Sequence, residues 1–156
     1  MAIEPLQTAE AHSFPTVRQL SIFIENRVGQ LARLTRVLDK TEVRILAISI
    51  INGVDCAVIR MVVDDPDEAA STLQKHKIPV ADAELLAISL PPGKRALLEI
   101  WGALMSAEVS IQYTYPLLVR PRGEPAIVLQ ADNHESAIRV LKEKGIALLD
   151  QADLVA

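Results

Sequence analysis

The sequence predicts an α+β fold of two tandem β-α-β-β-α-β modules, with antiparallel sheets carrying helices on one face. Three observations predict it: short β-branched runs alternate apolar and polar residues, apolar residues recur at helical spacing between those runs, and the whole pattern returns 66 positions later. A length of 156 residues holds one ordinary domain or two very small ones, and a repeat of this size fills it twice.

Residues 1–16 carry Pro5 and Pro15 among mixed polarity and read as a flexible N-terminal tail. They contain no apolar core long enough for a signal peptide, and no later run approaches transmembrane length. A cytoplasmic protein without a membrane partner is expected.

The first module, 17–83, opens with Leu20, Ile22 and Ile24 alternating with Gln19, Ser21, Phe23 and Glu25, a strand pattern. Leu31, Leu34 and Leu38 follow at helical spacing, with Arg33, Arg36 and Lys40 on other faces. Two β-branched runs, 43–51 and 57–63, flank Asn52-Gly53-Val54-Asp55, which fits a hairpin because asparagine and glycine tolerate positive φ. A second helix is expected from Asp67, since Asp65 and Glu68 stand at capping-box spacing around Pro66. A short strand near Val80 closes the module.

The second module, 84–156, repeats this order. Leu20, Ile22 and Ile24 map onto Leu86, Ile88 and Leu90; Leu31, Leu34 and Leu38 map onto Leu97, Ile100 and Leu104; Glu42-Val43 maps onto Glu108-Val109. Beyond that the offset is 68, as in Ala69 to Ala137 and Leu73 to Leu141. The copy then reads as a strand at 85–90, a helix at 96–107, strands at 110–119 and 126–130, a helix at 135–144 capped by Asp132 and Glu135, and a last strand around Leu148. Only Ala83 and Glu84 separate the end of one module from the start of the next, so the sheets are expected side by side or nearly continuous. The arrangement is the ferredoxin-like split βαβ motif.

Composition narrows the function classes. A net charge of −4 and only two phenylalanines, two tyrosines and one tryptophan leave neither a basic surface nor stacking platforms for nucleic acid. Cys56 is the sole cysteine, which excludes an intrachain disulfide and multi-cysteine zinc frameworks. No histidine–nucleophile pairing, metal-ligand spacing or phosphate-cradling glycine loop stands out, so no catalytic residue, metal or cofactor is expected. A mean hydropathy of +0.24 implies apolar surface covered by a second copy, a homodimer.

The segment Glu25-Asn26-Arg27-Val28-Gly29-Gln30-Leu31 joins the first strand to the first helix. A helix start offers unpaired N–H groups and partial positive charge, both suited to a carboxylate. Gly29 lets backbone approach a ligand with no Cβ in the way. Asn26 either caps the helix or holds polar ligand atoms, and Leu31 is expected beneath the loop as the first core residue. The same residues suit a plain strand-to-helix turn; the duplication favours binding. In the second module Pro92 and Arg95 fall where Asn26 and Gly29 stand, so that loop is expected to bind weakly or not at all. Tyr113 and Tyr115, two apart on a strand, share a face and either line the pocket or serve sheet packing or a dimer contact. Arg60, in an apolar strand, needs a ligand, a partner charge or solvent. Cys56 reads as a small core residue, Trp101 as a core or interface anchor, and His12, His76 and His134 as solvated surface. Arg120 and Arg122 read as a solvated turn.

A module of this order, with Glu25–Leu31, Leu46-Ala47-Ile48-Ser49-Ile50 and Arg60-Met61-Val62-Val63-Asp64-Asp65-Pro66, resembles the ACT domain. The two copies together, about 17 to 154, are most similar to small stand-alone proteins of two ACT modules without a catalytic domain. The resemblance implies a sensor of free amino acids attached to or associated with a metabolic enzyme. It places the ligand where the first-strand-to-helix loop meets the second strand of a neighbouring module, which adds Ile48 and Ser49 to the loop residues. The alternative is a regulatory or structural subunit of an amino-acid biosynthetic enzyme whose pocket is degenerate.

Overall fold

The structure, a computed structural model, describes residues 15–155. Most of the expected tail, with His12, lies outside the described residues. The first half runs β1 (Val17–Glu25), α1 (Gln30–Asp39), β2 (Ile45–Asn52), β3 (Cys56–Val63), α2 (Pro66–Lys75) and β4 (Val80–Ser89). The second runs α3 (Ala96–Ser106), β5 (Ile111–Pro116), β6 (Ala126–Ala131), α4 (His134–Glu143), β7 (Leu148–Leu149) and α5 (Gln151–Val155), with a short 3₁₀ turn at Pro121–Gly123. No helix among the described residues is long and apolar enough to cross a membrane.

Two strands separated only by Ala83 and Glu84, with sheets side by side or nearly continuous, were expected; the chain has one unbroken strand there, which makes the sheets continuous. β4 pairs with β1 through Val80–Leu85 and with β6 and β7 through Leu86–Ser89. It is the last strand of the first module and the first strand of the second. The halves therefore read β4-β1-β3-β2 and β7-β4-β6-β5, each in the order fourth, first, third, second, and all pairs are antiparallel. Nothing in this stretch breaks pairing: it contains no glycine or proline, and Leu85 to Ile88 are buried on both faces.

The joined sheet curls until its outer strands touch, with Ala47 opposite Leu117 and Leu118 N–H donating to Leu46 O at 2.7 Å. Curling creates three cores. On the convex side, α1 and α2 cover Leu20, Ile22, Ile59 and Met61, and α3 and α4 cover Leu86, Ile88, Ile127 and Leu129. On the concave side, Val17, Leu46, Val62, Leu85, Val128 and Tyr115 close on one another, with Leu154 of α5 among them. The unexpected α5 is pinned by Gln151, which accepts from Arg18 N–H at 3.2 Å and donates to Val63 O at 3.1 Å.

Local chemistry explains the element starts. Asp65 accepts from Glu68 N–H at 3.1 Å and Pro66 occupies the first turn of α2, as expected. In α4 the cap is Asn133, accepting from Ser136 N–H at 3.0 Å, and not Asp132. The offset of 68 carries Asp65 onto Asn133 and Asp64 onto Asp132. Asp64 and Asp132 act instead at the entry to β2 and β5, where their carboxylates accept from Arg44 N–H and Ser110 N–H at 2.7 and 2.9 Å. In the β2–β3 hairpin Gly53 is needed for room and not for positive φ, because a Cβ there would lie 2.8 Å from Cys56 O.

Candidate functional site

At the end of β1 the chain turns tightly, with Arg27 N–H on Glu25 O at 2.9 Å and an Arg27–Glu25 ion pair. Asn26 does not cap the helix. Its side chain donates to Gly53 O at 2.9 Å and its N–H to Asp55 O at 3.3 Å, tethering the loop to the β2–β3 hairpin. Gly29 is the N-cap, at φ +88°, and a Cβ built there meets nothing within 4 Å. Glycine is there for its backbone angle, and the space before it is open. No side chain caps α1, so the N–H groups of Leu31 and Ala32 have no partner among the described residues.

Leu31 does not wedge beneath the loop. It is 40% exposed, Val28 is fully exposed, and the helix core starts at Leu34. The helix begins one turn earlier than its buried stripe, so its first turn is left exposed.

Beside this loop lies a cavity of about 360 Å³. Glu25 and Asp55 supply negative charge on its wall, Arg27, Arg33 and Lys77 supply positive charge, and Ile78 and Pro79 supply apolar surface. Cys56, expected in the core, is exposed on the same wall, because it begins β3 level with Glu25, where the sheet ends. Lys77 and Arg33 escaped sequence reading because each looks like an ordinary solvated helix charge until the α2–β4 turn is folded back. A larger cleft, about 570 Å³, adjoins Arg18 and Gln151. There Arg18 is held by Asp67 at 2.5 Å and Asp82 at 2.7 Å. The Asp82 bond, then the Asp67 bond, raise its pKa further, so this guanidinium is already engaged by two carboxylates.

The other expected site residues sit elsewhere in the chain. Ile48 packs into the convex core under α1 and α2, while Ser49 faces the concave side. Tyr113 and Tyr115 also point into the concave side, with ring centroids 6.5 Å apart. Tyr115 OH donates to Gln19 Oε1 at 2.6 Å, and Gln19 Nε2 donates to Tyr113 OH at 2.9 Å and Ser21 Oγ at 3.1 Å. Burial, with the neighbouring Tyr113 adding to it, pushes the Tyr115 hydroxyl above its ordinary pKa, so it stays a neutral donor. Gln19, a residue the alternation had placed on a polar strand face, is fully buried and organises this centre. Arg60 stacks over the Tyr113 ring at 3.6 Å from the centroid. His134, expected on solvated surface, is half-buried against Gln130 at 2.8 Å. Trp101 is half-buried against the second convex core.

No curated protein sequence matches this chain. Among solved structures it is similar to protein BT0572 from Bacteroides thetaiotaomicron, at 34% identity and a TM-score of 0.82, over 90% of this chain and 96% of that one. The fold is also similar to the ligand-free regulatory subunit of aspartate kinase from Thermus thermophilus, at 15% identity and a TM-score of 0.56, covering 81% of this chain and 90% of that one. The corresponding subunit from Thermus flavus aligns at 16% identity and a TM-score of 0.50, over the same shares. The family described as an ACT domain pair matches residues 15–156. With its shared-strand double module and nearly its whole length matched, the chain belongs to the ACT domain pair family.

Proposed function

We propose that this chain is a cytoplasmic, non-catalytic regulatory protein. It binds a free amino acid beside the Glu25–Leu31 loop and changes its association with a second copy or with a metabolic enzyme. One observation carries the reading: the loop ending on the left-handed Gly29 leads into α1 beside a cavity whose wall, with Gln30 and Arg33 of that helix on it, carries both signs of charge. A zwitterion needs that combination. Arg27, Arg33 and Lys77 suit its carboxylate, and Glu25 and Asp55 suit its ammonium. Ile48, Ser49, Tyr113 and Tyr115 lie away from the cavity, Ile48 against the convex core and the others on the concave side, so the proposed site does not include them. Ligand then acts by differential affinity, stabilising whichever assembly completes the pocket.

Thermal-shift measurement with each common amino acid tests this. A ligand at roughly 100 times its Kd stabilises the fold by about 2.7 kcal/mol, which raises Tm by several degrees. No rise with any amino acid would sink the proposal. A second reading, a subunit built for enzyme contact with a degenerate pocket, is favoured by Leu97, Leu98 and Met105 exposed along α3. Co-purification with a larger enzyme and no amino-acid response would select it.

A further inference from the structure

The concave face of the first module carries a polar centre that the loop does not use. Register lines up Ser21 on β1, Arg60 on β3 and Ser49 on β2 in one cross-strand row, and Phe23, Val58 and Ile51 in the next row toward the open end. Residues two apart on a strand share a face, so both rows point the same way. Arg60 is half-buried, with the Tyr113 ring 3.6 Å from its guanidinium carbon. Among the described residues it makes no side-chain hydrogen bond and no ion pair. The Ser49 hydroxyl is likewise unpartnered there, and Ser21 Oγ accepts from Gln19 while its own hydrogen stays free to donate. Gln19 bridges the two tyrosine hydroxyls, and none of these groups draws on the guanidinium donors.

A guanidinium has five N–H donors in a planar fork, and a stacked ring satisfies none of them. A carboxylate fits that fork with two parallel bonds. About 7 Å further along, two residues of strand rise, Phe23 and Ile51 are 39% and 44% exposed and form an apolar shelf. Neither row contains an acidic side chain to receive an ammonium.

We propose that this face is a second binding site, for a small monocarboxylate with an apolar body and no ammonium. Arg60 holds the carboxylate, Ser21 and Ser49 donate to its oxygens, and the apolar body rests on Phe23, Val58 and Ile51. Its selectivity is opposite to that of the Gly29 loop, whose wall carries both charges.

The test uses the full chain and 4-methylpentanoate, followed by calorimetry and backbone amide shifts. Saturable binding is expected, with shifts centred on Ser21, Ser49 and Arg60. Affinity should fall about tenfold or more for the uncharged 4-methylpentanamide and for R60Q. Should R60Q fail to fold, S49A keeps the Arg60–Tyr113 stack and should weaken binding about threefold or more. No binding at about 10 mM, equal affinity for the amide, or shifts centred on Glu25–Gly29 would each overturn the proposal, as would unchanged affinity in the folded variants.

Discussion

In the first module the strand-to-helix turn ends on Gly29 at φ +88°, whereas the equivalent position in the second is Arg95 at φ −96°. Arg33 one turn later has Glu99 as its counterpart. The second loop does have a left-handed glycine, Gly93 at φ +101°, but two residues earlier, and the nearby cavity of about 400 Å³ runs along α3 beside Leu98 and Gly102. Elsewhere the halves agree closely. Asp64 and Asp132 clasp β2 and β5 alike, Asp65 and Asn133 cap α2 and α4 alike, and Leu34 and Ile100 sit alike in the two convex cores. The groups that fold a module are the same in both copies, and the groups around the start of the first helix of each module differ. Under the proposed function, the Gly29 loop is therefore the site to test first, and the second loop its control.

The largest expected effect tests the agreement between halves. Leu34→Ala and Ile100→Ala each remove a side chain at most 1% exposed and should cost about 2–5 kcal/mol by urea unfolding. The two cores are separate, so the costs should add; a shortfall beyond about 0.5 kcal/mol would show them coupled through β4. Next comes the contrast itself. Gly29→Val puts a β-branched residue at a left-handed angle and should cost about 1–3 kcal/mol while abolishing any amino-acid response. Arg95→Gly should change stability by less than about 0.5 kcal/mol. Unchanged amino-acid affinity in the folded Gly29→Val variant would remove the loop from the site.

The caps should behave as a matched pair. Asp65→Ala and Asn133→Ala are expected to cost about 1 kcal/mol each in thermal melts, and a cost confined to one would break the equivalence. The smallest effect is pH dependence in the second module. Burial holds His134 below its ordinary pKa of 6.5, with Glu84 opposing weakly. The folded state therefore favours the neutral ring, and its contribution to stability is complete above the unfolded pKa and lost as pH falls from about 6.5 through the folded value. His134→Gln should flatten the stability profile between about pH 7 and pH 5. Asp153 contributes only at lower pH, its carboxylate held below the usual range first by the Asp150 N–H and then by Arg122.

Much of this was legible in the chain. The period of two in Leu20, Ile22 and Ile24 and its return in Leu86 and Ile88 marked the convex faces, and Asp65–Pro66 marked the start of α2. Asp132 was misassigned because two polar residues, Asp132 and Asn133, stand side by side, and only their partners distinguish a strand clasp from a helix cap. The exposure of Leu31 and Cys56 was hidden because burial at an element's end depends on where the sheet stops. Of the candidate site, the loop was readable as a turn with a glycine; the charged wall from Arg33 and Lys77 was not.

By itself the sequence determined the element order, the duplication and the strand face that each helix covers, since side-chain periodicity is a property of neighbouring residues. The tertiary structure alone decided what covers the other face. Gln19 and Tyr115 lie 96 positions apart, and they meet only because β4 runs unbroken between the modules and the sheet curls onto itself. Such closure depends on twist accumulated across all the strands, which no local window of residues records.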